Sequence, residues 1–135
     1  MCGIAGWIDW EHDVSKSAGT LKKMAAVLAH RGPDEQGIWA DCHAGFAQRR
    51  LVVVDPAGGK QPMVRCEHGK EYVLVYNGEL YNSPELRSEL RSLGYVFSGY
   101  SDTETLLCAF IEWQEECLQR LNGIYAFAVW IPQDR

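Results

Sequence analysis

Small and apolar residues alternate from Gly3 to Asp9 around Ile4, Trp7 and Ile8, a period of two that predicts a buried strand opening at the chain's first residues. Leu21, Met24, Ala25 and Leu28 follow the i, i+3, i+4, i+7 spacing of an amphipathic helix, which stops at the Arg31-Gly32-Pro33-Asp34 turn. Gly37 to Ala40 and Gly45 to Val54 predict two paired strands, the second running into a loop with Pro56, Gly58 and Gly59. Glu71 to Tyr76 is a further strand, with a sharp turn expected at Asn77-Gly78 because glycine accepts positive φ and asparagine tolerates it.

Ser83-Pro84 reads as N-cap and first residue of a helix whose face carries Leu86, Leu90 and Leu93, with Gly94 as its stop. Ser101-Asp102-Thr103-Glu104 has the form of a capping box, followed by the apolar stripe Leu106, Leu107, Phe110 and Ile111. Tyr125 to Ile131 predicts a last buried strand before Pro132. Strands and helices alternate in groups, which predicts an α+β fold with helices on the outer faces of sheets. Gln133-Asp134-Arg135 reads as the turn after a strand whose hairpin partner is unwritten, so the expectation is a domain spanning 1–135 and incomplete at its C-terminus.

Composition narrows the classes. The chain has 135 residues, 47% hydrophobic and 23% charged, a balance that supports one folded core and excludes a disordered chain. A formal net charge of -5 leaves no broad basic surface, so neither nucleic acid nor an anionic membrane surface is an expected partner. The longest apolar run, Tyr125 to Ile131, falls far short of the ~20 residues a bilayer span requires. A cytoplasmic location is the expectation. Five cysteines with no CxxC pair read as reduced thiols, and Cys42-His43 and Cys66-Glu67-His68 match no common zinc spacing, so no metal is expected.

Cys2 follows the initiator methionine. Removal of Met1 would put a thiol and a free α-amine in one residue, with reference pKa values of about 8.5 and about 7.7 to 8.0, an almost balanced proton transfer near neutral pH. A cysteine there is more often a small buried residue, so its weight comes from its company. Acyl transfer needs an oxyanion site, and Asn77-Gly78 offers a side-chain amide and a main-chain N–H. An amino-acid substrate needs a fixed cation and a fixed anion, roles open to Arg50 and to Glu79 and Asp102.

Seven separated motifs occur in order along the whole chain: Cys2-Gly3-Ile4-Ala5-Gly6, Arg31-Gly32-Pro33-Asp34, Arg50-Leu51 with Asp55, Gln61-Pro62, Tyr76-Asn77-Gly78-Glu79-Leu80-Tyr81-Asn82, Ser101-Asp102-Thr103-Glu104, and Leu121-Asn122-Gly123-Ile124-Tyr125-Ala126-Phe127. Together they resemble the glutaminase domain of glutamine-hydrolysing asparagine synthetases, a branch of the class II glutamine amidotransferases. The resemblance implies an N-terminal nucleophile fold, a four-layer α/β/β/α sandwich of two antiparallel sheets.

It also implies roles. Cys2 would be the nucleophile, with Asn77 and Gly78 holding the oxyanion. Arg50 would grip the glutamine carboxylate, Asp102 and Glu79 its ammonium, and Val53 would line the pocket through its main chain. Arg31 to Asp34 would form a loop near the site with a structural role. The glutaminase step would use no cofactor; ATP and Mg would serve a C-terminal synthetase domain joined in cis, which is not among these residues. Unpaired sheet edges would be covered by further strands or by a second copy in a homodimer. Two alternatives stand beside this reading: another class II amidotransferase with a different acceptor, and an inactive glutaminase-like module for binding or assembly.

Overall fold

Strand β1 (Gly3–Ile8) lies antiparallel to β3 (Ala44–Arg50), and β2 (Glu35–Ala40) pairs with the other edge of β3. The computed structural model describes residues 2–134, so the fate of Met1, on which the free α-amine depends, lies outside the described residues. A second antiparallel sheet runs β4 (Met63–Glu67), β5 (Lys70–Leu80) and β6 (Gly123–Trp130), with β5 in the middle. The β4–β5 hairpin turns at His68 and Gly69, both at positive φ (52° and 77°), which suits a tight turn that follows the twist of its strands.

Strand alternation sorts the apolar residues into three layers of packing. Helix α1 (Ala18–Val27) buries Leu21 and Ala25 against Ala47 of β3 and Trp7 of β1. Residues one step along in register, Phe46, Val73 and Val75, turn the other way and meet between the two sheets, with Ile4, Trp39 and Ala128 around them. The opposite face of β5, with Tyr72, Leu74, Tyr76 and Leu80, packs under α2 (Ser83–Ser92) and α3 (Asp102–Trp113) through Leu90, Leu106 and Leu107. The result is helix, sheet, sheet, helix, the four-layer sandwich. Each fully buried leucine contributes about 2 kcal/mol of apolar burial. No helix among the described residues is long and apolar enough to cross a membrane.

Several sequence expectations change in detail. Asn77-Gly78 is not a turn: β5 continues through it to Leu80, with Asn77 opposite Ala126 and Gly78 opposite Tyr125. Pairing with β6 outweighs the local turn preference. A Cβ at position 78 would run into the Ile124 carbonyl oxygen and come within 2.7 Å of Tyr125 Cα, so the glycine serves close strand approach. Strand β3 ends at Arg50 rather than Val54, because the chain from Val54 to Pro56 folds its carbonyls around the Arg50 guanidinium. Leu93 lies beyond α2 and is 51% exposed, not on its buried face. Asn82, not Ser83, is the α2 N-cap. Ser101 caps α3 by accepting the Glu104 N–H, but the Glu104 carboxylate turns to the N–H groups of Ser98 and Gly99 instead of completing the box.

Strand β4 is shorter than the strand it borders. Its pairing with β5 runs from Glu67–Lys70 only as far as Met63–Leu74, while β5 continues to Leu80. From Tyr76 onward one edge of β5 is therefore open to other partners.

Candidate active site

Cys2 stands just ahead of β1, with its Sγ against the loop that follows β3. The Leu51 N–H donates to Sγ at 3.4 Å, and the thiol reaches the Leu51 carbonyl at 3.8 Å. Arg31 Nε donates to the Cys2 carbonyl at 3.0 Å. Asp34 accepts the Val52 N–H at 2.8 Å, and Arg49 Nε donates to the Gly32 carbonyl at 2.7 Å. The Arg31-to-Asp34 loop thus pins both the cysteine's main chain and the segment facing its sulfur.

A cleft of about 390 Å³ opens beside this thiol, and Cys2, Arg50, Val53, Asn77, Gly78, Glu79 and Asp102 all line it. The fold brings together every residue singled out in the sequence. The open edge of β5 forms one wall. Tyr76 N–H leaves that edge to donate to Gln61 Oε1 at 2.6 Å, and Leu80 N–H donates to Asp102 Oδ2 at 3.1 Å. Alternation along the strand puts the N–H of Gly78 on the same edge, between those two, facing the cleft. Asn77 Oδ1 is buried with no hydrogen-bond partner, an open polar valence of the kind found at functional sites.

Arg50 is only 4% exposed. Its Nη1 donates to Glu35 Oε2 at 2.9 Å and to the Pro56 carbonyl at 3.0 Å; its Nη2 donates to the carbonyls of Val54 at 3.0 Å and Asp55 at 2.7 Å. Four acceptors therefore hold the four terminal N–H bonds, and the guanidinium edge with Nε is what remains. Val53, 79% exposed, sits on the loop that wraps this cation.

On the other side, Asp102 opens α3, where the helix dipole favours a carboxylate. Tyr76 donates its hydroxyl to Asp102 Oδ2 at 2.9 Å. Burial, and then the Asp102 charge, push the Tyr76 phenol well above its usual range, so it stays a donor. Oδ2 is thus occupied by two protein donors, and Asp102 lines the cleft. Glu79 is exposed at its rim.

Sequence reasoning missed Tyr76, Gln61 and Glu35. Tyr76 and Gln61 were visible within motifs, but a hydrogen bond to Asp102 or to a strand edge has no local spacing to announce it.

Two facing antiparallel sheets covered by helices, with a cysteine entering the first strand at the mouth of a cleft, define the N-terminal nucleophile class of fold. The chain belongs to the glutamine amidotransferase domain family, whose model matches residues 1–135. It is 49% identical over 130 residues to glutamine-hydrolyzing asparagine synthetase 3 of Bacillus subtilis (strain 168), covering 96% of this chain and 21% of that protein. It is 37% identical over 130 residues to the glutamine-hydrolyzing asparagine synthetase B of Escherichia coli (strain K12), covering 96% of this chain and 23% of that protein. The chain spans about a fifth of the length of these curated relatives. Among solved structures, the allosteric regulatory enzyme of purine biosynthesis aligns with a TM-score of 0.58 at 23% identity, over 68% of this chain and 22% of that one. That likeness shows the fold.

Proposed function

We propose that this domain hydrolyses L-glutamine to L-glutamate and ammonia through a thioester on Cys2. The observation that carries the reading is the open edge of β5: the Gly78 N–H, flanked by amides already bonded to Gln61 and Asp102, faces the cleft that Cys2 enters. A donor fixed in a strand is preorganised for an oxyanion at no reorganisation cost.

In the proposed reaction the Cys2 sulfur adds to the glutamine side-chain carbonyl, and its proton passes to the residue's own α-amine once Met1 is removed. Negative charge collects on the carbonyl oxygen, which the Gly78 N–H and the Asn77 side-chain amide stabilise. The C–N bond then breaks as the α-ammonium returns the proton to the leaving ammonia. Water attacks the thioester and releases glutamate. Asp102 and Glu79 receive the substrate ammonium, and the Nε edge of Arg50, the part of its guanidinium not taken by protein acceptors, receives its carboxylate, with the Val53 main chain as lining. This step uses no cofactor.

The names of the relatives extend the proposal to an asparagine synthetase portion joined in cis that would take the ammonia; the proposal further has ATP and Mg serving that portion, in the cytoplasm. Glutamate release from glutamine, followed by a coupled assay, tests the glutaminase step. Turnover that disappears in Cys2→Ala supports it; undiminished turnover in that variant overturns it.

A further inference from the structure

Asp55 lies outside the residues assigned to glutamine, yet it bonds both Arg50 and the segment that leads into Asp102. The residue is buried, at 5% exposure. Its carboxylate Oδ1 accepts the Gly58 N–H at 2.9 Å, and Oδ2 accepts the Tyr100 N–H at 2.7 Å. Its main-chain oxygen receives Arg50 Nη2 at 2.7 Å and the Gly59 N–H at 3.1 Å. One residue therefore holds Arg50 by its backbone and the segment before α3 by its side chain. A second strut runs alongside, with Ser101 Oγ donating to the Gly58 carbonyl at 3.1 Å. Ser101 is the α3 N-cap, so the next residue is Asp102.

The joint is tight and conformationally specific. A Cβ at Gly58 or at Gly99 would run into Asp55 Oδ2, so both segments come up against the carboxylate with no room for a side chain. Asp55 itself has φ 49°, in the left-handed region that aspartate and asparagine tolerate better than most residues.

Resting on the glutaminase reading above, we propose that Asp55 is a positioning residue that sets the separation of Arg50 and Asp102, and through it the recognition of the substrate's α-carboxylate and α-ammonium. It touches neither substrate nor thiol. Loosening the joint moves the two charged ends relative to each other and leaves the reacting end in place. A plain loop brace would have no such selectivity.

Asp55→Asn keeps the shape and the left-handed backbone but turns one acceptor into an NH2 that faces an N–H. The expected result is a rise in the glutamine KM of roughly tenfold, the loss of one hydrogen bond to a charged group, with kcat within about twofold. Covalent labelling of Cys2 separates positioning from general damage. A chloroketone analogue of glutamine, which carries both α groups, should label Cys2 roughly tenfold more slowly in the variant; iodoacetamide, which carries neither, should alkylate Cys2 at an unchanged rate. Gly99→Ala pushes on the joint from the other side and should give the same split, which decides the matter if Asp55→Asn does not fold. Equal slowing with both reagents, or no slowing with either, overturns the inference. If the unmodified protein reacts with iodoacetamide at Cys2 but ignores the chloroketone, the glutaminase reading fails and takes this inference with it. Normal labelling of the unmodified protein with an indifferent Asp55→Asn sinks this inference alone.

Discussion

Tyr76 and Asp102, far apart in the chain, meet through a 2.9 Å hydrogen bond from the phenol to Oδ2. With the Leu80 N–H on the same oxygen, both protein donors fall on Oδ2, and in the proposed reading Oδ1 receives the substrate ammonium.

Tyr76→Phe removes that donor and lets the carboxylate swing. A hydrogen bond to a charged group contributes about 1.5 kcal/mol or more, so the glutamine KM should rise roughly tenfold while kcat holds. Steady-state kinetics check it. An unchanged KM would detach Asp102 from ammonium binding.

Arg50→Lys replaces a four-donor fork with a single ammonium. Lysine cannot reach Glu35 and the carbonyls of Val54, Asp55 and Pro56 together, so at least one buried acceptor is orphaned. The expected loss of stability is about 2 to 4 kcal/mol, visible in the urea midpoint, along with weakened glutamine binding.

Gly78→Ala should cost more than a strand glycine usually does. The added methyl meets the Ile124 carbonyl oxygen and Tyr125 Cα across the β5–β6 pair, so the strands must part. Both thermal stability and kcat should fall, and a variant that keeps both would argue against a fixed oxyanion donor here.

Asp55 also predicts a pH dependence. The Tyr100 N–H, with the Gly58 N–H and the Arg50 charge, holds its carboxyl below the usual 3.8. A carboxyl lowered by folding adds stability that is fully present above 3.8 and is lost as pH falls through the lower folded-state value. The stability gap between the unmodified protein and Asp55→Asn should therefore be constant from pH 7 to about 5 and narrow below pH 4. Urea titrations at several pH values read this directly.

Much of this architecture is legible from periodicity. Helices α1 and α3 and strand β1 fall near where the apolar spacing puts them, and β6 begins two residues earlier than its apolar core suggests. Strand β4 was not legible, because Arg65, Cys66 and Glu67 give it no apolar alternation and only pairing with β5 makes it a strand. The reach of β5 through Asn77-Gly78 and the early end of β3 have the same origin: contacts with Tyr125 and Ala126, and with the Arg50 guanidinium, override local preference. Residue types picked out side chains that line one cleft. Its supports, namely Arg31 on the Cys2 carbonyl, Glu35 on Arg50 and Tyr76 on Asp102, depend on residues distant in sequence and appear only in the folded chain.

Cys2 as the nucleophile is the assignment on which every role in the cleft depends, and the described residues contain four other free cysteines to serve as controls. Burial pushes the Cys108 thiol up to about 12 and raises Cys117, so both should stay inert, while Cys42 and Cys66 are exposed. Peptide mapping after reaction with the chloroketone glutamine analogue, with and without excess glutamine, puts the assignment to the test. One adduct is expected, on Cys2, suppressed by glutamine. An adduct on Cys42 or Cys66 in its place, or Cys2 labelling that glutamine does not slow, would contradict it.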